Sequence, residues 1–480
     1  MKEEILFRYS AIRIKGIWKG LKKLSIFSLK KGENHISLED QRKQWFKQFI
    51  IAFFAVFSCY FAIYLLRNNF KAAQTLLIEQ DGFSTTELGL IGLGFSITYG
   101  LGKTILGYII DGKNAKKIMS FLLGLSAIIS IIIGCLLLMD KAFTGVLLVL
   151  WGANGFVQSP GGPASYSTIT RWTPKNKRGK WLGFWNTSHN IGGALAGIIA
   201  LWGATTFFNG NVAGMFITPA VIAIVIAIMS FSFGYDEPEE LGWNSAPEIF
   251  GETKETLDTT TSDLKKFQIV RKFVLNNPWV WLLCIINVFV YIVRIGIDNW
   301  VPVYCVQALN WETNDAIYTI SMFELGALLG SLSWGWLSDI LKGRRMFCSL
   351  IALIIEFFML IAYSQVQNVT SMYIVLFILG FLVFGPQLLI GISVVEFVPK
   401  NALAVTNGLT GTFAYLFGDS IAKVLLGYIA DPKKDGVHLF GYLLHGWNAT
   451  FTVMFVVLVL AGLLTIPVVI KQEKNIKVKK

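Results

Sequence analysis

The sequence is poor in charge, in histidine and in cysteine. Charged residues make up 15% of the 480 positions, whereas soluble proteins carry about 25%. The four histidines and five cysteines are scattered, without the spacing of a metal site or a disulfide framework. We therefore expect neither a metal centre nor a cofactor, and we interpret the cysteines as small packing residues.

The chain is rich instead in long hydrophobic runs. Hydrophobic residues make up 54% of it, and a helix that crosses a bilayer needs about 20 apolar residues. Twelve such runs predict an all-α membrane protein with twelve transmembrane helices. The runs lie near 49–69, 86–110, 116–138, 143–168, 180–207, 212–234, 278–305, 315–340, 345–364, 371–396, 402–430 and 447–470.

The net charge is +12, and the Lys and Arg residues are distributed unevenly between the two sides of the membrane. If the N-terminus is cytoplasmic, 34 of the 42 Lys and Arg residues fall in cytoplasmic segments and four lie within spans. The remaining four are predicted on the opposite side: Lys71, Lys141, Lys433 and Lys434. This distribution predicts that both termini are cytoplasmic. The positive charge thus reflects topology, and we expect no nucleic-acid partner.

The spans fall into two sets of six, separated by a stretch that opens acidic and ends basic, as a cytoplasmic linker would. A basic segment precedes the first span. It mixes Lys and Arg with apolar residues, which is typical either of an interfacial amphipathic helix or of a loose tail that only fixes orientation. The predicted organisation is a basic N-terminal segment at 1–48, a six-helix bundle at 49–234, a cytoplasmic linker at 235–277, a second six-helix bundle at 278–470 and a basic cytoplasmic tail at 471–480.

Landmarks recur between the two sets at a nearly constant offset. Gly107-x-x-x-Asp111 with trailing basic residues closes the second span, and Gly335-x-x-x-Asp339 closes the eighth in the same way, at an offset of 228. Acid and base at these helix ends are placed to bridge neighbouring helices. Prolines at 160 and 386, in the fourth and tenth spans, differ by 226. The chain is therefore predicted to be a duplicated six-helix unit with pseudo-symmetric halves.

Two arginines occupy matching places in the two sets. Arg67 and Arg294 are separated by an offset of 227, and each follows a tyrosine (Tyr64, Tyr291) at i+3 inside an apolar run. Helical spacing also places Tyr60 on the face of Tyr64 and Arg67. A charge near mid-bilayer costs at least about 2.5–3.5 kcal/mol, so each arginine is a functional candidate. Arginine stays ionised and binds phosphate or carboxylate with a planar fork, so the pair predicts an anion clamp between the halves.

Acidic residues inside the spans offer alternatives to that clamp. Asp298 follows Arg294 by four residues and is placed to form a structural ion pair with it. Asp419 and Lys423 have the same spacing in the eleventh span and predict an intrahelical pair. That pair either only permits insertion or contacts sugar hydroxyls or a second charge. Two further acids lie within apolar runs without an assigned role: Glu324 and Glu356.

Three more polar residues are candidates for the anion pathway. Lys103 follows Tyr99 by four residues and shares its face. It either adds charge to the pathway or extends to the cytoplasmic interface. Asn186 and His189 share a face of the fifth span, where we expect them to contact substrate, although a histidine can also be a hydrogen-bonded packing residue. His189 could be protonated when a second phosphate charge arrives.

These motifs resemble those of the organophosphate:phosphate antiporters of the major facilitator superfamily, across about 45–470. The motifs are Tyr-x-x-Arg in the first and seventh spans, Trp-Asn-x-x-His-Asn-x-Gly-Gly in the fifth and Phe-Gly-Pro-Gln in the tenth. The resemblance implies the major facilitator fold. It also implies that Arg67 and Arg294 bind the phosphoryl group. The residues that it places around that group are Lys103, His189, Tyr60, Tyr64, Tyr99, Tyr291 and Asn186.

Within that family the chain is most similar to the bacterial hexose-6-phosphate antiporters. The stretch from Arg294 to Trp300 and the stretch from Gly411 to Lys423 carry this likeness. Glycerol-3-phosphate carriers usually have Lys immediately after the first arginine, where this chain has Asn68. The implied activity is exchange of a sugar phosphate, first of all glucose-6-phosphate, for inorganic phosphate in the bacterial inner membrane, by a monomer whose two bundles rock about one site.

Three other functions are weighed against this prediction. A membrane sensor for sugar phosphate can be built on the same scaffold, and a carrier can take another organophosphate such as glycerol-3-phosphate. A membrane phosphatase would need a nucleophile–base pair or a metal cluster. The sequence shows neither, so we predict that the protein is not an enzyme.

Overall fold

The computed structural model describes residues 25–33, 36–110, 112–252, 266–399, 402–439 and 441–478. In this part of the chain, eleven helices are long and apolar enough to cross a membrane. The first set of helices is α1 (Leu38–Asp81), α2 (Thr85–Ile110), α3 (Ala115–Leu138), α4 (Thr144–Gln158), α5 (Gly161–Trp172), α6 (Lys175–Phe207) and α7 (Gly214–Ser232). The second set is α8 (Pro278–Leu309), α9 (Thr313–Ile340), α10 (Arg345–Gln365), α11 (Val369–Val394), α12 (Leu403–Phe413), α13 (Ser420–Ala430) and α14 (Gly446–Val478).

Shorter elements connect these helices. Single helical turns lie at Ser25–Phe27, Pro238–Leu241, Ala246–Ile249, Lys266–Ile269 and Val395–Phe397, and π-helical turns at Val270–Leu275 and Ala414–Asp419. The loop before α14 holds a small antiparallel hairpin of β1 (Val437–Leu439) and β2 (Tyr442–Leu444). The predicted all-α membrane fold is confirmed, with this hairpin as the one departure among the described residues.

Helix α1 is much longer than the predicted first span. It has 44 residues. The hydroxyl of Ser37 caps its start by accepting a hydrogen bond from the backbone N–H of Asp40 at 3.2 Å. Gly82 ends the helix in the left-handed conformation at φ 70°. The prediction that Lys71 lies outside the span was wrong, because Lys71 is inside α1 and only 9% exposed. The prediction relied on hydropathy alone, so it ended the first span at the first cluster of polar residues.

The predicted fourth and tenth spans differ although each contains a proline. The fourth crossing is divided into α4 and α5, which meet at Ser159 and Pro160. Proline has no backbone N–H and clashes with the preceding helical turn, so a break here is expected. In α11, by contrast, Pro386 lies inside a continuous helix. The eleventh crossing is also interrupted, by the π-helical turn that joins α12 to α13.

The two sets of helices pack against each other mainly through α6 with α9 and α2 with α13. Further contacts join α1 to α8 and α9, and α2 to α12. Thr85 at the start of α2 donates a hydrogen bond to the carbonyl of Gly427 at 2.8 Å, and Ser321 in α9 donates to the carbonyl of Ala194 at 2.6 Å. These contacts lie toward the loops that follow α1 and α8. The halves are therefore closed on the side away from the N-terminus of α1.

The start of the predicted linker is an ordered part of the first half. Asp236 is fully buried and accepts hydrogen bonds from the backbone N–H groups of Ala115 and Lys116, both at 3.0 Å, and from Thr168. It also pairs with Arg171 at the end of α5. Residues 253–265 of the linker, most of the N-terminal segment before 38 and Asp111 lie outside the described residues.

The bridges at the corresponding ends of the second half use two of the expected basic residues, Arg344 and Arg345, but other acids than Asp339. Among the described residues, Asp339 makes no ion pair. Arg345 pairs instead with Glu396, and Arg344 pairs with Glu473 at 2.9 Å. Acid–base bridges therefore occur at these helix ends, although not through the aspartate of the Gly-x-x-x-Asp turn.

Candidate functional site

Arg67 lies against three aromatic rings. Tyr60 and Tyr64 share its face of α1, as predicted, with 5.4 Å between the two ring centroids. The guanidinium carbon of Arg67 is 4.6 Å from the centroid of the Tyr64 ring and 4.3 Å and 5.2 Å from those of Tyr99 and Phe95 in α2. Such contacts stabilise a cation that has lost most of its water. They also restrict the plane of the guanidinium group.

Arg294 is 7% exposed and lies against two rings. Its guanidinium carbon is 4.4 Å from the centroid of the Phe384 ring and 5.6 Å from that of Tyr291. The alternative expectation, that Arg294 pairs with Asp298, was wrong. Asp298 pairs with Lys71 of α1, and among the described residues neither arginine forms an ion pair.

Each arginine donates a hydrogen bond to one glutamine side chain, which comes from the proline-containing crossing of the same half. Arg67 Nε donates to Gln158 Oε1 at 3.3 Å, and Arg294 Nη1 donates to Gln387 Oε1 at 2.8 Å. Sequence reasoning missed both glutamines as site residues. Their proximity to the repeated proline could have marked them as candidates, but it could not have shown which side chains they contact.

The two arginines face one central cavity of about 40 Å³. Seven of the predicted site residues line it: Tyr64, Arg67, Tyr291, Arg294, Asp298, Asp419 and Lys423. Arg67 Nη2 and Arg294 Nε are buried and find no hydrogen-bond acceptor among the described residues. Buried donors without acceptors are costly, and an anion would supply acceptors to both. The cavity is large enough only for a few water molecules.

A second cavity, of about 410 Å³, lies on the side of the loops that follow α9 and α11. It is lined by Asn186, His189, Ser331, Phe384, Gln387, Leu388, Gly391, Ile392 and Asn407. The ring of His189 is 5.1 Å from that of Tyr64 and 6.2 Å from that of Phe384, so it lies between the halves. Two of the predicted residues, Asn186 and His189, thus face this larger space.

Three predicted residues line neither cavity. The ring of Tyr60 stacks on Trp185 with 4.7 Å between centroids, and the ring of Tyr99 is 4.6 Å from that of Tyr415. Lys103 has its ammonium nitrogen 5.8 Å from the centroid of the Tyr415 ring. Lys103 therefore points toward α12 and the π-helical turn of the other half. Tyr99 contacts Arg67 and Tyr60 contacts Tyr64, so these two rings lie in a layer around Arg67.

The pair of Lys71 and Asp298 joins α1 to α8 across the two halves. Both side chains line the central cavity, and Asp298 Oδ1 is buried without another partner among the described residues. Their offset in the sequence is 227, the same as between the arginines. Equivalent positions of the repeat thus carry opposite charges that meet at the interface. The repeat offset was the signal that could have found Lys71.

Glu324, which had no assigned role, also lies at the central cavity. Its carboxylate accepts hydrogen bonds from Asn68 at 3.0 Å and from Asn190 at 3.3 Å. It therefore connects α9 with α1 and α6. Glu356 is buried in α10 away from both cavities, and its Oε2 makes no hydrogen bond with a described residue.

The expected intrahelical pair of Asp419 and Lys423 is present, with 2.9 Å between the charged atoms. Lys423 Nζ also lies 3.0 Å from the hydroxyl of Ser96 in α2, and that hydroxyl donates to Asp419. The pair is therefore shared between the halves. Because the two charges compensate each other, they add dipoles rather than net charge to the central cavity.

The comparisons with known proteins agree on the family. The profile of the Major Facilitator Superfamily matches residues 56–422. The hexose-6-phosphate:phosphate antiporter of Escherichia coli K12 is 46% identical over 444 residues, which cover 92% of this chain and 95% of that protein. The glycerol-3-phosphate transporter of Bacillus subtilis 168 is 32% identical over 383 residues, 79% of this chain and 85% of that protein. These relatives are transporters and not enzymes.

A solved structure supports the fold. A bacterial homologue of the human lysosomal transporter Spinster, in an inward-facing and unoccupied conformation, matches with a TM-score of 0.64 at 16% identity. The match covers 86% of this chain and 95% of that one. At this level of identity it demonstrates a shared arrangement of helices and nothing about substrate.

Proposed function

The chain belongs to the major facilitator superfamily, and we propose that it exchanges a sugar phosphate, first of all glucose-6-phosphate, for inorganic phosphate. It is a multi-pass membrane transporter. The observation that carries the proposal is the pair of arginines at one shared cavity, one from each half. Each has a buried nitrogen, Arg67 Nη2 and Arg294 Nε, that finds no acceptor among the described residues. A phosphoryl group supplies the charge and the acceptors that this arrangement needs.

The proposed site has two parts. Arg67 and Arg294 hold the phosphoryl group, with the surrounding tyrosines (Tyr60, Tyr64, Tyr99, Tyr291) and Lys103 setting its position and field. The sugar extends into the 410 Å³ cavity, where Asn186 and His189 face it. The ion pair of Asp419 and Lys423 forms a dipole at the cavity that influences which substrate is preferred. Asp298, in the wall of the same cavity, contributes to this preference.

We further propose the orientation and the moving parts. Both termini are cytoplasmic in the bacterial inner membrane, according to the positive-inside distribution. The larger cavity then faces the cytoplasm. The two bundles, which contain segments 49–234 and 278–470, rock about the linker at 235–277, whose start belongs to the first bundle, and basic segments at 1–48 and 471–480 flank them, although α1 already begins at Leu38. A single chain is sufficient for this cycle, so we propose a monomer.

Electrostatic repulsion couples the two fluxes in this proposal. Closing the empty carrier brings two guanidinium ions together as water leaves the site. At separations of about 4–7 Å and an effective dielectric constant of about 20, the repulsion is roughly 2–4 kcal/mol. A bound phosphate removes this barrier. Only the loaded carrier therefore passes through the closed state, and transport becomes an exchange.

The test is counterflow in proteoliposomes that contain the purified chain and labelled internal phosphate. External glucose-6-phosphate or phosphate should release the label, glycerol-3-phosphate should release it more slowly, and anion-free buffer should leave it inside. Rapid efflux into anion-free buffer would overturn the coupling mechanism. A chain that bound sugar phosphate but released no label under any condition would be a sensor and not a carrier.

A further inference from the structure

The two glutamines that contact the arginines lie at similar but not equivalent places in the two halves. Gln158 lies just before Pro160, and Gln387 directly follows Pro386. Their offset in the sequence is 229, close to the arginine offset of 227. In each half, a carboxamide oxygen from the proline-containing crossing therefore accepts a hydrogen bond from the arginine of the first helix.

Gln158 is held rigidly by a buried network. Its Nε2 donates to Ser126 Oγ at 3.0 Å and to Asn154 Oδ1 at 3.2 Å, and Ser126 donates to Asn154 at 2.5 Å. All three side chains are at most 1% exposed. Because the amide protons of Gln158 are engaged by α3 and α4, its oxygen can only face Arg67. The acceptor for Arg67 is thus fixed by the scaffold.

Gln387 has fewer hydrogen-bond partners than Gln158, and it lies at the edge of the larger cavity. Its Nε2 makes a single hydrogen bond, to the hydroxyl of Tyr291 at 3.3 Å, and its side chain lines the 410 Å³ cavity. A ligand that comes from this cavity meets Gln387 before it meets Arg294 Nη1. A neutral carboxamide is a weaker acceptor for a guanidinium than an anionic oxygen is. A phosphoryl group can therefore displace it.

We propose that Gln158 is a permanent positioning residue for Arg67, whereas Gln387 is a placeholder that occupies Arg294 until the anion arrives. This proposal rests on the proposed phosphate exchange and deepens it. In the empty carrier, both arginines keep a neutral acceptor that orients the fork without cancelling its charge. The positive charge of each arginine stays available for coupling, and the substrate itself displaces Gln387 from Arg294.

Substitutions at the two glutamines should then have unequal effects on exchange. Gln158→Leu removes the fixed acceptor, and we expect the KM for phosphate to rise about tenfold with Vmax largely kept, as loss of one hydrogen bond to a charged group implies. Ser126→Ala, which frees the Gln158 amide without touching Arg67, should raise KM by a smaller factor in the same direction. Gln387→Ala should leave KM unchanged or lower it.

A carboxylate at the fixed position provides the sharpest test. Gln158→Glu is nearly isosteric and places a permanent counter-charge beside Arg67, so the empty carrier loses much of its repulsion. We expect phosphate efflux into anion-free buffer to rise several-fold over the wild type, with a raised KM for exchange. Gln158→Leu should not leak. Gln365→Glu, at the exposed end of α10, is the matched control for an added carboxylate.

The outcomes separate this inference from the function on which it rests. If the wild type exchanges phosphate but Gln158→Leu and Gln387→Ala change KM equally, the division of roles is wrong. The same holds if Gln158→Glu leaks no more than Gln365→Glu. If the wild type itself exchanges no phosphate, the proposed function fails instead. Should Gln158→Glu not accumulate in the membrane, the KM of Ser126→Ala decides, since an unchanged value overturns the positioning role.

Discussion

Arg67 in α1 and Arg294 in α8 are equivalent in the repeat, but their surroundings differ. Arg67 lies against three rings and a glutamine that a buried network fixes. Arg294 lies against two rings and a glutamine at the edge of the larger cavity. The two cations are thus alike in position, but the environment of Arg67 is held by a buried network and that of Arg294 borders the larger cavity. In the proposed site, only the surroundings of Arg294 therefore have to change when an anion binds.

The same divergence appears at two other equivalent positions. Pro160 separates two helices, whereas Pro386 lies within one. Lys71 and Asp298 carry opposite charges at the position one turn after each arginine, and they pair across the interface. A symmetric repeat would place like charges at these two positions, whereas the opposite charges found here form an ion pair between the halves.

The largest expected effect comes from breaking that cross-half pair. Asp298→Asn leaves Lys71 as an unpaired buried charge, at a cost of about 3–5 kcal/mol, whereas two apolar residues of similar size are close to neutral. We expect Asp298→Asn and Lys71→Met to lower the thermal midpoint of the purified protein strongly. The double variant Lys71→Met/Asp298→Leu should recover most of it. Additive losses in the double variant would contradict a coupled pair.

Next in size is the loss of either arginine fork. Arg67→Lys and Arg294→Lys keep the charge but remove the second hydrogen bond, worth about 1.5–3 kcal/mol, which corresponds to about 10- to 150-fold slower exchange. We expect Arg67→Lys to be the more severe, because its rigid surroundings cannot follow a shorter head group. Exchange assays on equal amounts of inserted protein measure this. A wild-type exchange rate in Arg67→Lys would contradict the proposal that Arg67 binds phosphate through two hydrogen bonds.

A smaller difference is expected between the acid–base bridges of the two halves, Asp236 with Arg171 and Glu396 with Arg345. Asp236→Asn weakens four hydrogen bonds at a fully buried carboxylate, so we expect a loss of about 1–3 kcal/mol. Glu396→Gln weakens the more exposed bridge to Arg345, worth about 0–1 kcal/mol. Thermal midpoints of the two variants should differ accordingly. Equal shifts would show that burial does not distinguish the bridges.

The smallest effect concerns Glu237, beside Asp236. Burial and the neighbouring Glu239 raise the pKa of Glu237 from 4.5 to about 7, although Arg171 opposes them. The folded state therefore favours the protonated carboxyl, and this contribution to stability is lost as the pH rises from 4.5 through 7. Glu237→Gln should match the wild type in thermal midpoint at about pH 5 and exceed it slightly at about pH 8. A difference independent of pH would contradict the raised pKa.

Some of the site could be predicted residue by residue, and some could not. Tyr60, Tyr64 and Arg67 were found together because helical spacing alone sets which side chains share a face. Gln158 was missed because its importance depends on Ser126 and Asn154 from two packed helices. Glu324 was noticed only as an unexplained acid, since its partners Asn68 and Asn190 come from the other half of the chain.

The sequence by itself determined the membrane fold, the duplication and the two candidate arginines, because apolar length and the cost of a buried charge are properties of single segments. Only the tertiary structure decided that Lys71 lies inside the protein with Asp298, and that each arginine has its own glutamine. These pairings join residues that are far apart in the sequence. No local pattern encodes them, because the partner of a buried polar group is chosen by which helices come into contact.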